Sequence, residues 1–189
     1  SWGPLHRSFY SKRYVALRSK MVVFQSLTMS RLLYNAHVWS PCSPAMLQKW
    51  QNAIRKPLGL IAKGQTMGVS PLVLDVPTLC GLLRLLPPED QLHMARLRYL
   101  KRMLAMCPAM LWQMLIEMID DSDSWVGACS TSLAWFREFY SDHFDVPSSN
   151  DVRQWLPLIQ LDVNWAGRIR AAGRACRRYR QACSEHHAW

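Results

Sequence analysis

Apolar side chains recur along this chain at steps of three and four residues, and no apolar–polar alternation longer than four residues stands out. Such steps place side chains on one face of a 3.6-residue helix, whereas a strand needs a period of two. The pattern therefore predicts helices. The first is expected from near Ser11 to Trp39. Its stripe is Tyr14, Val15, Met21, Val22, Met29, Leu32, Leu33 and Ala36, interrupted by Arg18 and Gln25. Pro41 and Pro44 end it, because proline lacks the N–H that a helix interior needs. Ser43 then reads as the N-cap of a second helix with Pro44 in its first position. Leu47, Trp50, Ile54 and Leu58 form its apolar face, and Pro57 predicts a kink or a stop. Residues 63–68 read as a loop.

Downstream, Ser70 to Leu86 reads as a short helical pair bracketed by prolines, and Pro87-Pro88 as a break. Pro88-Glu89-Asp90 opens a further helix, with acids in the first turn where the helix dipole favours them. His93, Leu97, Leu100 and Leu104 form its stripe. Pro108 restarts a helix through Ile119. Asp120 to Ser124 reads as a solvated acidic loop, with Asp123 or Ser124 as a helix cap. Ser130 to Phe144 carries Leu133, Phe136 and Tyr140 on one face, and Asp145 to Asn150 reads as a linker. A final helix is expected from about Asp162, with Trp165, Ile169, Ala172, Cys176, Tyr179 and Cys183 on its stripe. No repeat of 20–50 residues is visible. The expected fold is all-α: an irregular bundle of about seven or eight helices with a basic N-terminal helical hairpin. Its segments are a basic hairpin over 1–74, a helical connector over 75–145 and an Arg-rich helical segment over 146–189.

Half of the 189 residues are apolar and 19% are charged, which places the chain among globular rather than disordered sequences. The net charge of +10 points to a polyanion or an anionic surface. Its distribution says more than its sum. Residues 1–74 contain ten Lys/Arg and no acid, residues 120–163 contain eight acids and two bases, and residues 164–189 contain six arginines and one acid. The expectation is a polyanion-binding head and tail around an acidic middle.

Ser1 to Lys20 has no continuous apolar core of the kind a signal peptide carries. The longest charge-free run, Leu32 to Gln48, holds Asn35, His37 and two prolines, so no membrane span is expected. The six cysteines show no CxxC pairing and read as reduced, mostly buried thiols of an intracellular protein. The opening Ser1 suggests a piece of a longer polypeptide.

Catalytic patterns are missing: there is no Gly-rich phosphate loop, no GxSxG and no HExxH. Asp120-Asp121 lacks the hairpin setting in which paired aspartates hold catalytic metals. Cys176, Cys183, His186 and His187 lack the two close pairs of a zinc site, and Cys176 and Cys183 fit the helix stripe. No metal and no cofactor is expected. His37 and the tryptophans read as packed side chains.

Lys20 to Ala62 reads KMVVFQSLTMSRLLYNAHVWSPCSPAMLQKWQNAIRKPLGLIA. It resembles the segment after the palm in reverse transcriptases of non-long-terminal-repeat retrotransposons, on Ser26-Leu27, Arg31 to Trp39 and Lys56 to Leu60. Leu92 to Trp112 is similar to the next helices of that family, and the resemblance covers about residues 12–125. It implies that residues 12–62 are a thumb and the rest a helical connector. The implied partners are an RNA template–DNA primer duplex and the remaining polymerase domains of a parent polyprotein, in a nuclear or cytoplasmic ribonucleoprotein. A Cys/His zinc module often follows in this family. The family's catalytic aspartates, fingers, palm and endonuclease have no matching positions here, so the chain alone is expected to be non-catalytic.

The phosphate-gripping residues are expected to be Lys12, Arg13, Lys20, Arg31, Lys49, Arg55 and Lys56. Arg13, Lys20 and Arg31 would lie on one line of the first helix, about 27 Å long. A second basic face is formed by Arg170, Arg174, Arg177 and Arg178. The alternative is a helical interaction module that meets acidic protein or an anionic membrane through this last helix.

Overall fold

The first apolar stretch folds as a helix whose pitch changes part-way. In the computed structural model of the chain, which describes residues 6–39, 41–63, 70–71, 73–140 and 146–187, α1 (Leu17–Val23) runs directly into a π-helical segment, Phe24–Met29, and then α2 (Ser30–Leu32). The Ser30 N–H donates to the Gln25 carbonyl, five residues back. Each π turn takes in one extra residue. The buried positions are Lys20, Phe24, Thr28 and Met29, while Tyr14 and Val22 of the expected stripe are 81% and 57% exposed. The expected helix over 11–39 is also trimmed at both ends. Residues 11–16 are non-helical, and Asn35 stops the chain in a left-handed conformation at φ 55 before a 3₁₀ turn, Ala36–Val38. Asparagine tolerates that region better than most residues. A separate π turn, His6–Tyr10, precedes, and the Tyr10 hydroxyl lies 3.4 Å from Thr28 Oγ1.

Helix α3 (Pro44–Ala62) starts at the expected proline. It continues past Pro57, which buries its ring with Ile54, Leu58 and Ile61; the expected stop does not occur. Only the second part of the expected 70–86 pair is helical, as α4 (Val76–Leu82). Asp75 caps it by accepting the Thr78 N–H at 2.9 Å. Arg84, at φ 54, closes its C-terminus, with the Leu85 N–H reaching back to the Cys80 carbonyl at 2.7 Å.

Helices α5 (Pro88–Met106) and α6 (Ala109–Glu117) follow the proline signals. Helix α7 (Trp125–Phe139) is capped by Ser124, one of the two expected caps, whose hydroxyl accepts the Gly127 N–H at 3.0 Å; the helix thus starts ahead of the expected apolar stretch from Ser130. Helix α8 (Val152–Leu161) was not expected. Val152, Trp155 and Ile159 form a buried face there despite Pro157. Helix α9 (Trp165–His187) completes the chain. Among the described residues there are nine α-helices and no strand, so the fold is an irregular all-α bundle. The expected loop after Lys63 and the end of the expected 130–144 helix lie outside the described residues.

Packing groups the chain into two compact units built from non-consecutive segments. The first takes 1–34, 44–88 and 177–189; the second takes 35–43 and 89–176. Each of the three segments 1–74, 75–145 and 146–189 is therefore shared between the units. The core of the first unit joins Tyr10, Phe24 and Met29 to Ile54, Leu58, Ile61, Val76, Leu79 and Leu83. This brings the two head helices into one core, although the 35–43 connection between them belongs to the other unit.

The second unit is aromatic at its centre. Phe136 lies 4.9 Å from Trp165 and 5.9 Å from Trp155, ring centre to ring centre. The Trp165 indole N–H donates to the Leu97 carbonyl at 3.0 Å, so its one polar atom is satisfied. Lys101 closes the end of α8 by donating to the carbonyls of Ile159 at 2.6 Å and Gln160 at 2.8 Å. The 35–43 segment is held by the Trp125 indole N–H on the His37 carbonyl (2.7 Å) and by Arg96 on the Trp39 carbonyl (3.0 Å). All six cysteines are free, and burial pushes the Cys129 thiol up to about 12.

Gly81 tests the packing of the first unit. A Cβ added there would meet Ser184 Oγ at 1.8 Å and the Arg180 carbonyl at 2.7 Å. In a free helix, alanine is better than glycine by about 1 kcal/mol. Here Gly81→Ala is expected to lower stability by about 1–3 kcal/mol, as overpacking does. A thermal melt checks the sign, and a higher midpoint would show that the end of α9 is not packed on α4.

Candidate functional site

Folding sharpens the charge pattern of the sequence. The first unit holds fourteen Lys/Arg against two acids, Asp75 and Glu185, and the second holds nine against eleven. The reason is compositional. The connecting 35–43 segment has no Lys, Arg, Asp or Glu, so every cation of the acid-free head falls in the first unit, and the last turns of α9 add Arg177, Arg178 and Arg180.

A pocket of about 460 Å³ opens in this unit between the 11–16 stretch, α1 and the end of α3. It is lined by Arg13, Lys20 and Lys63 together with Ser11, Val15, Leu17, Leu60 and Ile61. Arg13 and Lys63 are exposed, whereas Lys20 is only 8% exposed. A lysine this buried is normally paired with a carboxylate. Among the described residues none lines the pocket, and residues 1–74 contain none. A long cationic side chain is accommodated in such a place by laying its stem on apolar neighbours and keeping its charge toward water.

The expected line of Arg13, Lys20 and Arg31 does not form. Arg13 precedes α1, Lys20 turns inward, and Arg31 sits on α2 beyond the π segment that shifts the helical phase. The structure instead brings Arg13 and Lys20 together with Lys63, which was read only as part of a loop. A signal for Lys63 was present: Lys49, Lys56 and Lys63 are seven residues apart, and two helical turns of about 11 Å return each to nearly the same line. Lys49 and Lys56 are exposed on α3. Arg55 is exposed too and donates to the Val73 carbonyl at 3.3 Å. Lys12 and Arg31 are exposed.

The second basic face divides. Arg177 and Arg178 are exposed in the first unit, while Arg170 and Arg174 line a separate cavity in the second with Tyr140, Asn164 and Arg168. Arg168 is occupied there, donating to Asp162 at 2.7 Å and to the Tyr140 hydroxyl at 2.6 Å. Tyr179 is 54% exposed, so the expected stripe of α9 is buried only as far as Cys176.

Three carboxylates of the acidic middle are engaged within the second unit. Asp120 forms a two-bond pair with Arg153, at 3.0 and 3.2 Å, which holds its carboxyl below the usual range. Asp121 accepts the Asp123 N–H at 2.9 Å, a loop-closing role. Asp162 pairs with Arg168. Among the described residues, no three His, Cys, Asp or Glu side chains are grouped to hold a metal. The side chains of His186 and His187 lie outside that set.

Comparison with protein-family models, with curated proteins and with solved structures found no match to this chain.

Lys20 carries a test of its own. A cation set among like charges in an apolar-walled pocket is held at the expense of stability. Lys20→Met keeps the helical propensity and the stem volume and is expected to raise the unfolding free energy by about 0.5–2 kcal/mol. A fall measured by calorimetry in phosphate-free buffer would show that the ammonium is satisfied inside the fold.

Proposed function

We propose that this chain is a non-catalytic, nucleic-acid-binding part of a retrotransposon reverse transcriptase. Its first unit grips the backbone of the template–primer duplex. One observation carries the reading: fourteen cations gather in a unit with two acids. Such a field attracts phosphates without reading bases. The exposed line of Lys49 and Lys56 suits successive phosphates. The resemblance of residues 12–125 to the thumb and connector of that family supplies the identity of the partner. The exposed apolar side chains of α6, with Met110 79% and Met114 57% exposed, are consistent with remaining polymerase domains as further partners. Catalysis is assigned to those domains and not to this chain.

The alternative, an interaction module using the Arg-rich last helix, is weakened by the division of that helix's arginines between two units. No described helix is long and apolar enough to cross a membrane.

Filter binding across a salt series separates the two readings. Each phosphate neutralised on a B-form duplex contributes roughly −0.9 to the slope of log K against log salt. The double variant Lys49→Gln, Lys56→Gln is expected to flatten the slope by about 1.8. The double variant Arg170→Gln, Arg174→Gln is expected to change it less. The reverse ranking would overturn the thumb-like grip and favour the last helix.

A further inference from the structure

We infer that the Arg13–Lys20–Lys63 pocket receives the terminal phosphate of a nucleic-acid strand, a phosphate monoester at a 5′ end. This rests on the nucleic-acid function proposed for the first unit and assigns the pocket a task distinct from gripping the backbone.

Charge comes first. An internal phosphodiester carries one negative charge. A terminal monoester carries about −1.5 to −2 near pH 7 and offers three acceptor oxygens. Three cations converging on one concavity match the second better than the first. Lys20 is the least exposed of them as a residue, and among the described residues no carboxylate lines the pocket. A cluster of like charges around one concavity attracts an anion from outside.

Shape comes second. Backbone phosphates within a strand have neighbours on both sides, and a convex line such as Lys49–Lys56 suits them. A pocket of about 460 Å³ lined by Val15, Leu17, Leu60 and Ile61 beside the three cations has room for an end. Ligand sites of this size are typically apolar with a few placed polar groups. Here the aliphatic wall would meet the terminal sugar or base while the cations hold the phosphate. Arg13 at the exposed rim can offer a two-bond fork to it.

The test is fluorescence anisotropy on the whole chain with one labelled 12-residue single strand bearing either a 5′-phosphate or a 5′-hydroxyl. The phosphorylated strand is expected to bind about tenfold tighter, the scale of a charge-assisted contact. Lys20→Met should bring the ratio of the two affinities to about one, weakening the phosphorylated strand more than the 5′-hydroxyl strand. Lys49→Gln, Lys56→Gln should weaken both strands alike. If Lys20→Met does not fold, the exposed Arg13→Gln serves in its place. The preference should also shrink as the pH falls from 7 to 5, because the monoester takes up a proton near pH 6. Equal binding of the two strands would overturn the inference and leave the backbone grip intact. Binding of neither strand would overturn the grip itself. Competition by a free nucleoside 5′-monophosphate or by inorganic phosphate, at concentrations equal to the strand, would reassign the pocket to a small ligand and overturn the strand-end assignment.

Discussion

Everything distinctive about this molecule depends on a missing counter-charge. Residues 1–74 place ten cations on the chain without one carboxylate. A fold can answer such a stretch by laying an acidic segment against it. Here two of the acids, Asp120 with Arg153 and Asp162 with Arg168, are paired inside the second unit. The first unit has a large apolar core that includes Phe24, Ile54, Leu58, Ile61 and Leu79, and all but one of its cations with a described side chain are left partly or fully exposed. Lys20 is the exception that defines the pocket.

The phase of the first helix links that constraint to the pocket. A regular α-helix from 11 to 39 would have placed Arg13, Lys20 and Arg31 in a row on its outer face. The π segment Phe24–Met29 adds a residue per turn and fixes Lys20, Phe24 and Thr28 on the buried side. Phe24 fills the core, Thr28 meets the Tyr10 hydroxyl, and Lys20, at the end nearest the 11–16 stretch, opens into the cavity. Insertions of this kind are frequent at functional sites.

Much of the architecture was legible in the chain. Ser43-Pro44, Pro88 with its early acids, and Ser124 before an apolar run each announced a helix start, because caps and first-turn residues act locally. Apolar steps of three and four identified α3 and most of α9. What stayed hidden was non-local. Nothing in the pattern of residues 24–29 announces a π turn, and nothing in 11–16 announces that the helix starts only at Leu17, so the predicted stripe ran too far and took in Tyr14 and Val22. Pro157 masked the short buried face of α8. The regrouping of 35–43 and 177–189 into units with distant segments depends on long-range contacts, such as Arg96 with the Trp39 carbonyl, that no sequence window contains. The site was half legible for the same reason. Arg13 and Lys20 were visible as cations, but their partner Lys63 follows a helix end whose position Pro57 obscured.

The central claim is that the cations of the first unit, on balance, repel one another. Thermal unfolding as a function of sodium chloride tests it most directly, with no ligand present. Between 20 mM and 500 mM salt the Debye length shrinks from about 20 Å to about 4 Å, which screens exposed charges from one another. Net self-repulsion in the folded state predicts a midpoint that rises across that range. A midpoint that falls with salt would show that attractive ion pairs hold the unit together, and would contradict the account.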